Sequence, residues 1–324
     1  MRFSRRTHRS HSLRACKGAQ ITLHICAIVG ASASGKSALS LQIAQIAHKD
    51  GQKVALFSLD SLAVYREIDI ASAKPSAESL ERVPHFAINV LAPNEPCSFG
   101  VFANALQSAL HYCTHTESNL LLVGGSGFYL KAMIDGISPA PNALDSAQQA
   151  RIDKILACPK HAHALLARID KQAAQNARDS YRLRKAFEIL LATKQPPSCY
   201  FAANPKKPML PKIPIFELHI SRDNLWHNII TRTESMLQHG LLDEVRNICD
   251  KYGRNIQPAK SIGFRECLAH FDGIIARENL AEHIAIHTRQ FAKRQHTFNR
   301  TQLAATPLPR EEILQTILRL WQLA

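Results

Sequence analysis

The 324-residue sequence predicts an α/β fold: a P-loop-type parallel sheet flanked by helices, with a helical insertion. Three observations carry this. Short apolar runs alternate with helical patterns from Leu23 onward, an order that favours parallel strands covered by helices. The first run ends in Gly30-Ala31-Ser32-Ala33-Ser34-Gly35-Lys36-Ser37, a glycine-bounded loop that opens directly into a helical pattern. After Gly136 the composition shifts to short polar helical segments bracketed by prolines.

The first of these segments is an anion trap. Backbone N–H groups of such a loop and the positive end of the following helix converge on phosphate oxygens. Lys36 adds a full charge, and the Ser37 hydroxyl can hold a magnesium ion that bridges phosphates. A ligand carrying a diphosphate or triphosphate is expected here.

Strands are expected at Leu23–Val29, Val54–Ser58, Phe86–Leu91, Leu120–Val123 and Ile215–Ile220, and helices at Lys36–His48, Phe99–Thr116 and Phe128–Asp135. Pro139 and Pro141 mark a break. Residues Asn142–Ala192 then read as short helices, with further breaks at Gln195-Pro196-Pro197 and through Asn204–Pro214. The expected organisation is a core of residues 21–138 and 200–324 with an insertion of residues 139–199. Four more helices are expected at Asn224–His239, Leu241–Tyr252, Pro258–Asp272 and Leu280–Leu303. The last carries Arg289, Lys293, His296 and Arg300 along one stripe, which suits a solvated face or a surface that tracks a phosphate backbone.

Lys and Arg total 40 against 26 Asp and Glu, a net charge of +14 that makes an anionic polymer a natural partner. Residues 1–20 contain six Lys or Arg and no acidic residue, and lack the apolar core of a secretory signal. A disordered tail is the plain reading; a transit peptide, a nucleic-acid-touching arm or sequence behind an early start codon are the others. No apolar run approaches the ~18 residues of a membrane span. Eight cysteines include no C-x-x-C pair, which points to reduced thiols and a cytoplasmic location.

Two strand ends carry chemistry. Val54–Ser58 leads into Leu59-Asp60-Ser61, placing a carboxylate at a strand tip near the phosphate loop. Magnesium ligand, general base and helix cap all suit Asp60. Val123-Gly124-Gly125-Ser126-Gly127 closes another strand; its glycines suit a close ligand approach or a tight turn, and Ser126 offers a hydroxyl.

Gly30–Ser37, Asp60-Ser61 with Tyr65 and Asp69-Ile70-Ala71-Ser72-Ala73-Lys74-Pro75, and Val123–Tyr129 together resemble the tRNA dimethylallyltransferase (tRNA isopentenyltransferase) family in its bacterial form. The resemblance continues through Asp179, Arg182 and Ala186-Phe187-Glu188, then Arg232, Met236-Leu237, Gly240-Leu241 and Glu244-Val245. It ends with Ser261-Ile262-Gly263-Phe264 and Thr288-Arg289-Gln290-Phe291-Ala292-Lys293-Arg294-Gln295.

The resemblance implies transfer of a dimethylallyl group from dimethylallyl diphosphate to N6 of adenine 37, beside the anticodon, in tRNAs reading codons that begin with U. By resemblance the loop Gly30–Ser37 holds the donor's diphosphate with Mg²⁺ on Ser37, and Arg232 is a further cation; from spacing alone Arg232 reads as a solvated helix residue. Asp60 matches the family's base, and Ser126, in place of the commoner threonine, hydrogen-bonds near the attacking amine. The family's tRNA contacts map onto Asp60, Ser61, Leu62 and Ala63; Ser126; Gln149; Tyr181, Arg182, Leu183, Arg184 and Lys185; Lys260, Ser261, Ile262, Gly263, Phe264 and Arg265; and Arg289, Gln290 and Lys293. The implied partners are tRNA and a prenyl diphosphate, with no membrane, for a monomer. Departures from the family pattern are Ala31-Ser32 for Pro-Thr, Ser37 for Thr, Ala71-Ser72 for Gly-Thr, Gln149 for an arginine and Ser180 for proline. A small-molecule or nucleoside kinase shares the loop and the strand-end aspartate but has no need of the basic stripe. A non-catalytic RNA-binding protein accounts for the charge but leaves Lys36, Asp60 and Ser126 idle.

Overall fold

The structure, a computed structural model, describes residues 23–322; the basic arm expected over residues 1–20 lies outside the described residues. Six strands, β1 (Ile25–Val29), β2 (Lys53–Ser58), β3 (His85–Phe86), β4 (Ser118–Gly124), β5 (Ile215–Leu218) and β6 (Thr306–Leu308), pair in the order β3-β2-β4-β1-β5-β6, and every pairing is parallel. Parallel neighbours need crossovers, and here those crossovers put helices on both faces, which is why the central strands are apolar throughout.

Alternate residues of each strand feed two cores. On one face Cys26, Ile28, Leu56 and Leu121 pack against α1 (Lys36–Lys49) and α14 (Arg310–Gln322) through Leu39, Ile43, Ile313 and Ile317. On the other, Ala27, Val29, Phe57, Leu120 and Leu122 meet Phe102, Leu106 and Cys113 of α3 (Phe99–Thr116), together with α4 (Gly127–Asp135). This second core extends to α11 (Leu241–Tyr252), α12 (Phe264–Phe271) and α13 (Leu280–Phe298) through Leu241, Val245, Phe264 and Ile284. A short α2 (Ala77–Arg82) precedes β3, and α10 (Arg222–Gln238) follows β5 and packs on α13.

Between α4 and β5 lie α5 (Ser146–Leu156), α6 (Pro159–Ile169), α7 (Lys171–Asn176), α8 (Ser180–Thr193) and α9 (Pro197–Ala203), so this helical segment runs past residue 199. Three of its helices start on side-chain caps: Asp145, Asp170 and Asp179 each accept a backbone N–H of the first turn. They enclose a separate apolar cluster that includes Ile152, Leu166, Leu183 and Phe187. At its base Met209 and Leu210 donate to the Met133 carbonyl and Ile137 pairs with Lys207.

Four expectations are corrected. The run Phe86–Leu91 supplies only the short β3, because Ala87 and Asn89 turn to positive φ (61° and 57°), leaving Leu91 as an isolated bridge to Tyr65. The helix expected over Pro258–Asp272 splits into a 3-10 turn, Gln257–Lys260, and α12. The helix expected to reach Leu303 stops as α13 at Phe298 and continues as a π-turn over Asn299–Leu303. Strand β6 and α14 were not expected; β6 is three residues long, with Pro307 inside it and Pro309 after it, a composition that reads as loop. Among the described residues no helix is long and apolar enough to cross a membrane, and Cys26, Cys97, Cys113, Cys158, Cys199, Cys249 and Cys267 are free thiols.

The loop after β2 is held by one side chain. Glu244 of α11 accepts from the N–H groups of Asp69 and Ile70 at 2.7 Å each and of Ala71 at 2.9 Å. That fixes the turn from which Lys74 reaches back to the Tyr65 carbonyl at 2.5 Å and Asp69 at 2.7 Å. Glu244→Ala strands three donors at once and is expected to lower stability by about 2 kcal/mol, read from urea denaturation.

Candidate active site

In a parallel sheet every strand ends on the same edge, and neighbours lie about 4.8 Å apart. β2, β4 and β1 are consecutive in the sheet, with Ser58 level with Val123 and Val29 level with Gly124. The loops that follow therefore stand in a row: Asp60, then Gly124–Ser126, then Gly30–Ser37. The expected ligand edge is formed by register alone, and a cavity of about 340 Å³ opens there. It is lined by Lys36, Ser37, Asp60, Gly125, Asn228 and Arg232 among others.

The phosphate loop closes on itself through Ser34 N–H to the Ala31 carbonyl, and Gly35 sits at φ 92°, a left-handed conformation that a side chain would strain. This turn starts α1, whose first-turn N–H groups at Lys36 and Ser37 have no carbonyl a turn earlier to bond and so face the cavity mouth. Lys36 is only 8% exposed, and its ammonium donates to the Ala31 carbonyl at 2.5 Å. Burial pushes the Lys36 pKa down to about 8, and the nearby Arg232 guanidinium pushes the same way, against the pull of Asp60 and Glu217. Arg232 is itself held below its ordinary pKa by burial, with Asp60 opposing. Two cations thus converge on one cavity with too little negative charge to satisfy them, which is the electrostatic signature of an anion seat.

Arg232 is therefore not the solvated helix residue that spacing alone favours. It projects from α10, which Asn228, one turn earlier, ties to the loop by donating to the Ala33 carbonyl at 3.1 Å. Asp60 Oδ1 accepts from Leu62 N–H at 2.8 Å, a turn that orients the carboxylate; among the described residues its Oδ2 takes no hydrogen bond and remains available to a ligand. Ser126 opens α4 without using its hydroxyl as a cap, while its N–H donates to the Leu59 carbonyl at 3.2 Å beside Asp60. Ser126 does not itself line the cavity; its neighbours Gly124 and Gly125 do.

The donor set bears on the expected metal. Among the described residues no group of three His, Cys, Asp or Glu could hold an ion; Ser37, exposed at the rim, and Asp60 line the cavity, and diphosphate oxygens and water would complete a magnesium shell.

The residues mapped to RNA divide into two kinds. Ser61, Gln149, Tyr181, Arg182, Lys185, Lys260, Arg265, Arg289, Gln290 and Lys293 are exposed, and Arg184 is partly so. Leu183 and Phe264, at 3% and 0% exposure, belong to the two apolar clusters, and Ala63 and Gly263 are buried as well, so at these four positions only backbone could meet an RNA. Leu62, Ser261 and Ile262 are half-buried. Gln149 donates to the Leu144 carbonyl at 3.2 Å. Arg182 pairs with Asp179, Arg184 with Asp153 and Lys185 with Glu188, all at exposed positions where such pairs are weak. Arg289 stacks on Trp226, its guanidinium carbon 4.9 Å from the ring centroid. An open cleft of about 550 Å³ brings Arg182 of α8 to face Lys293 and Arg294 of α13. Of the basic stripe, His296 stays exposed yet hydrogen-bonds to the buried Glu217 at 3.0 Å.

Sequence reasoning missed four residues. Glu217, 5% exposed, accepts from His296 and from Asn299 at 3.1 Å and lies close enough to act on Lys36; a glutamate inside an apolar strand was the available signal. Lys74 lines the cavity, and its place in Ala73-Lys74-Pro75 was visible. Glu266, 2% exposed, gathers Gly263 N–H at 2.7 Å, Arg265 at 2.5 Å and His287 at 2.7 Å, shaping the 261–265 loop. Gln295 bridges two loops, a contact that no local pattern reveals.

Known proteins agree with this geometry. The family model described as IPP transferase matches residues 63–302. The tRNA dimethylallyltransferase of Wolinella succinogenes is 43% identical over 303 residues, covering 91% of this chain and 99% of that one. That of Helicobacter pylori strain J99 is 39% identical over 280 residues, covering 86% and 87%. Among solved structures, the tRNA isopentenylpyrophosphate transferase of Bacillus halodurans is 26% identical with a TM-score of 0.66, covering 93% of this chain and 96% of that one. A eukaryotic dimethylallyltransferase acting on tRNA has a TM-score of 0.74 at 23% identity, a likeness of fold. With most of its length matched by the family model and by relatives of this similarity, the chain belongs to the IPP transferase family.

Proposed function

We propose that the protein is a tRNA dimethylallyltransferase, moving the dimethylallyl group of dimethylallyl diphosphate to N6 of adenine 37 in tRNAs that read codons beginning with U. One observation carries the reading: Lys36, Arg232 and Asp60 line a single cavity, so an anion seat and a carboxylate face the same small volume. The names of the relatives at about 40% identity point to the same reaction.

In this reading the loop Gly30–Ser37 and the Arg232 guanidinium grip the diphosphate. The allylic C1–O bond breaks as N6 bonds to C1; its electron pair leaves on the diphosphate, where Lys36, Arg232 and the loop N–H groups meet the growing charge. Bound Mg²⁺, carried by diphosphate oxygens with Ser37, would add further charge neutralisation. The lone pair of N6 is delocalised into the purine, so the amine reacts only as its proton departs. Asp60 receives that proton, and the Ser126 hydroxyl orients the amine. The cationic cleft between α8 and α13 holds the anticodon stem-loop, with the segment of residues 139–199 clamping it from one side and the core helices from the other. A stacked adenine reaches the cavity only by turning out of the loop, at a cost of a few kcal/mol that the cavity contacts must offset. The working form is a cytoplasmic monomer.

Asp60→Asn keeps the turn acceptor but cannot take a proton; kcat is expected to fall by about 10²–10⁴-fold with tRNA affinity little changed, measured as dimethylallyladenosine formed per minute and by filter binding. Wild-type turnover in that variant would remove Asp60 as base. Replacing Arg289 and Lys293 together by Ala is expected to weaken tRNA binding and flatten log K against log salt by about 1.5. The Lys36 ammonium, protonated below pH of about 8, must carry its charge to hold the anion, so inorganic diphosphate should bind tightest below that pH and weaken by up to about tenfold per unit above it. Arg232→Met removes a like charge and should move that limb to higher pH while lowering affinity overall; titration calorimetry across pH 6.5 to 9.5, roughly the span of this transition, reads both.

A further inference from the structure

The inner face of α13 carries one side chain that touches both halves of the site and has no part in the chemistry above. Gln295 is 7% exposed. Its Oε1 accepts from Ser32 N–H at 2.8 Å and from the Ser32 hydroxyl at 3.2 Å, while its Nε2 donates to the Gly125 carbonyl at 3.0 Å. Ser32 belongs to the loop after β1 and Gly125 to the turn after β4, so a single amide spans the rims of two adjacent strands. The fit is close on the far side as well: a Cβ at Gly125 would overlap the amide nitrogen of Gln295. The helix behind it is anchored, since His296 and Asn299 both hydrogen-bond to Glu217 of β5.

Among side chains of this length only a primary amide satisfies both partners. A carboxylate would accept from Ser32 yet face the Gly125 carbonyl with no proton to share, and methionine offers the same shape with no polar group. The contact also spares the anion seat. It takes the Ser32 N–H, at the outer rim of the loop, and leaves the N–H groups at the start of α1 free for phosphate.

We propose that Gln295 is a positioning residue that fixes the separation between the loop holding the diphosphate and the turn carrying Ser126, and through it the approach of the amine to the prenyl carbon. The inference rests on the transferase reading. Reacting atoms must come within about 3–3.5 Å, and a displacement of about 1 Å can cost ~10²-fold, so the loss should fall on turnover rather than on occupancy of either seat.

The test uses the full chain with Gln295→Met and Gln295→Glu, assayed with dimethylallyl diphosphate and tRNA, alongside amide hydrogen exchange of the Ser32 segment without ligand. In Gln295→Met, kcat should fall by roughly 30–100-fold while both KM values stay within about threefold. Ser32 N–H should exchange at least about tenfold faster, with the rest of the protein as protected as in the wild type. Gln295→Glu should be as slow or slower. Gly125→Ala, which crowds the amide, should lose most activity, and Gly125→Ala with Gln295→Ala should recover to the level of Gln295→Ala alone, a strongly non-additive cycle. Unchanged Ser32 exchange would remove the bridge. Faster exchange with wild-type kcat, or a loss confined to the donor KM, would remove the positioning role. A wild-type protein that never prenylates tRNA takes down the transferase reading and this role together, and the exchange data tell that failure apart from loss of the bridge.

Discussion

Two positive charges that burial and each other make costly sit at the mouth of one sheet. Lys36 is lowered to about 8 by burial and by Arg232, and Arg232 is lowered in turn by burial. Asp60 and Glu217 offset them only in part: both pull the Lys36 pKa upward, yet it remains lowered. In the proposed reading an incoming diphosphate resolves this imbalance, and anion binding, the lowered pKa of Lys36 and the stabilisation of a departing diphosphate share one electrostatic origin.

The same economy organises the rest of the edge. Three glutamates gather N–H donors: Glu217 from His296 and Asn299, Glu244 from residues 69–71, and Glu266 from Gly263, Arg265 and His287. A carboxylate can accept several such bonds, and charge-assisted ones are about twice as strong as neutral ones. Each therefore freezes a loop that sheet pairing alone leaves undetermined: the strand β5 end under the phosphate loop, the 69–71 turn that launches Lys74, and the 261–265 loop on the basic side. Loop precision here comes from polar clamps, while the apolar cores set only where the strands end.

Helix α13 joins these roles. Its outer face presents Arg289 and Lys293, and its inner face carries Gln295 to the two loops of the site. In the proposed reading one helix thus serves both a surface for a long anion and the frame of a small-anion pocket. Its stripe reads in sequence as four cations in line, yet His296, though exposed, is tied to a buried glutamate. A helix has faces that spacing resolves, but which side chain at the margin of a face finds a buried partner depends on the fold.

From the sequence alone the phosphate loop, the alternation of strands and helices and the strand-end aspartate follow directly, because each rests on contacts between residues near one another in the chain. The local patterns also marked Ser126 and the insertion. What they left open is which neighbours the strands take, and that decides the site: β4 inserted between β2 and β1 is what puts Asp60, Gly125 and Lys36 along one edge. Resemblance to a family supplied roles for Asp60 and Arg232, but only the fold shows Arg232 of α10 meeting Lys36, or Gln295 reaching Ser32 across 263 residues. The short strand β6 was illegible for the same reason: it is held by β5, far back along the chain, and no local periodicity records a contact whose second half lies elsewhere.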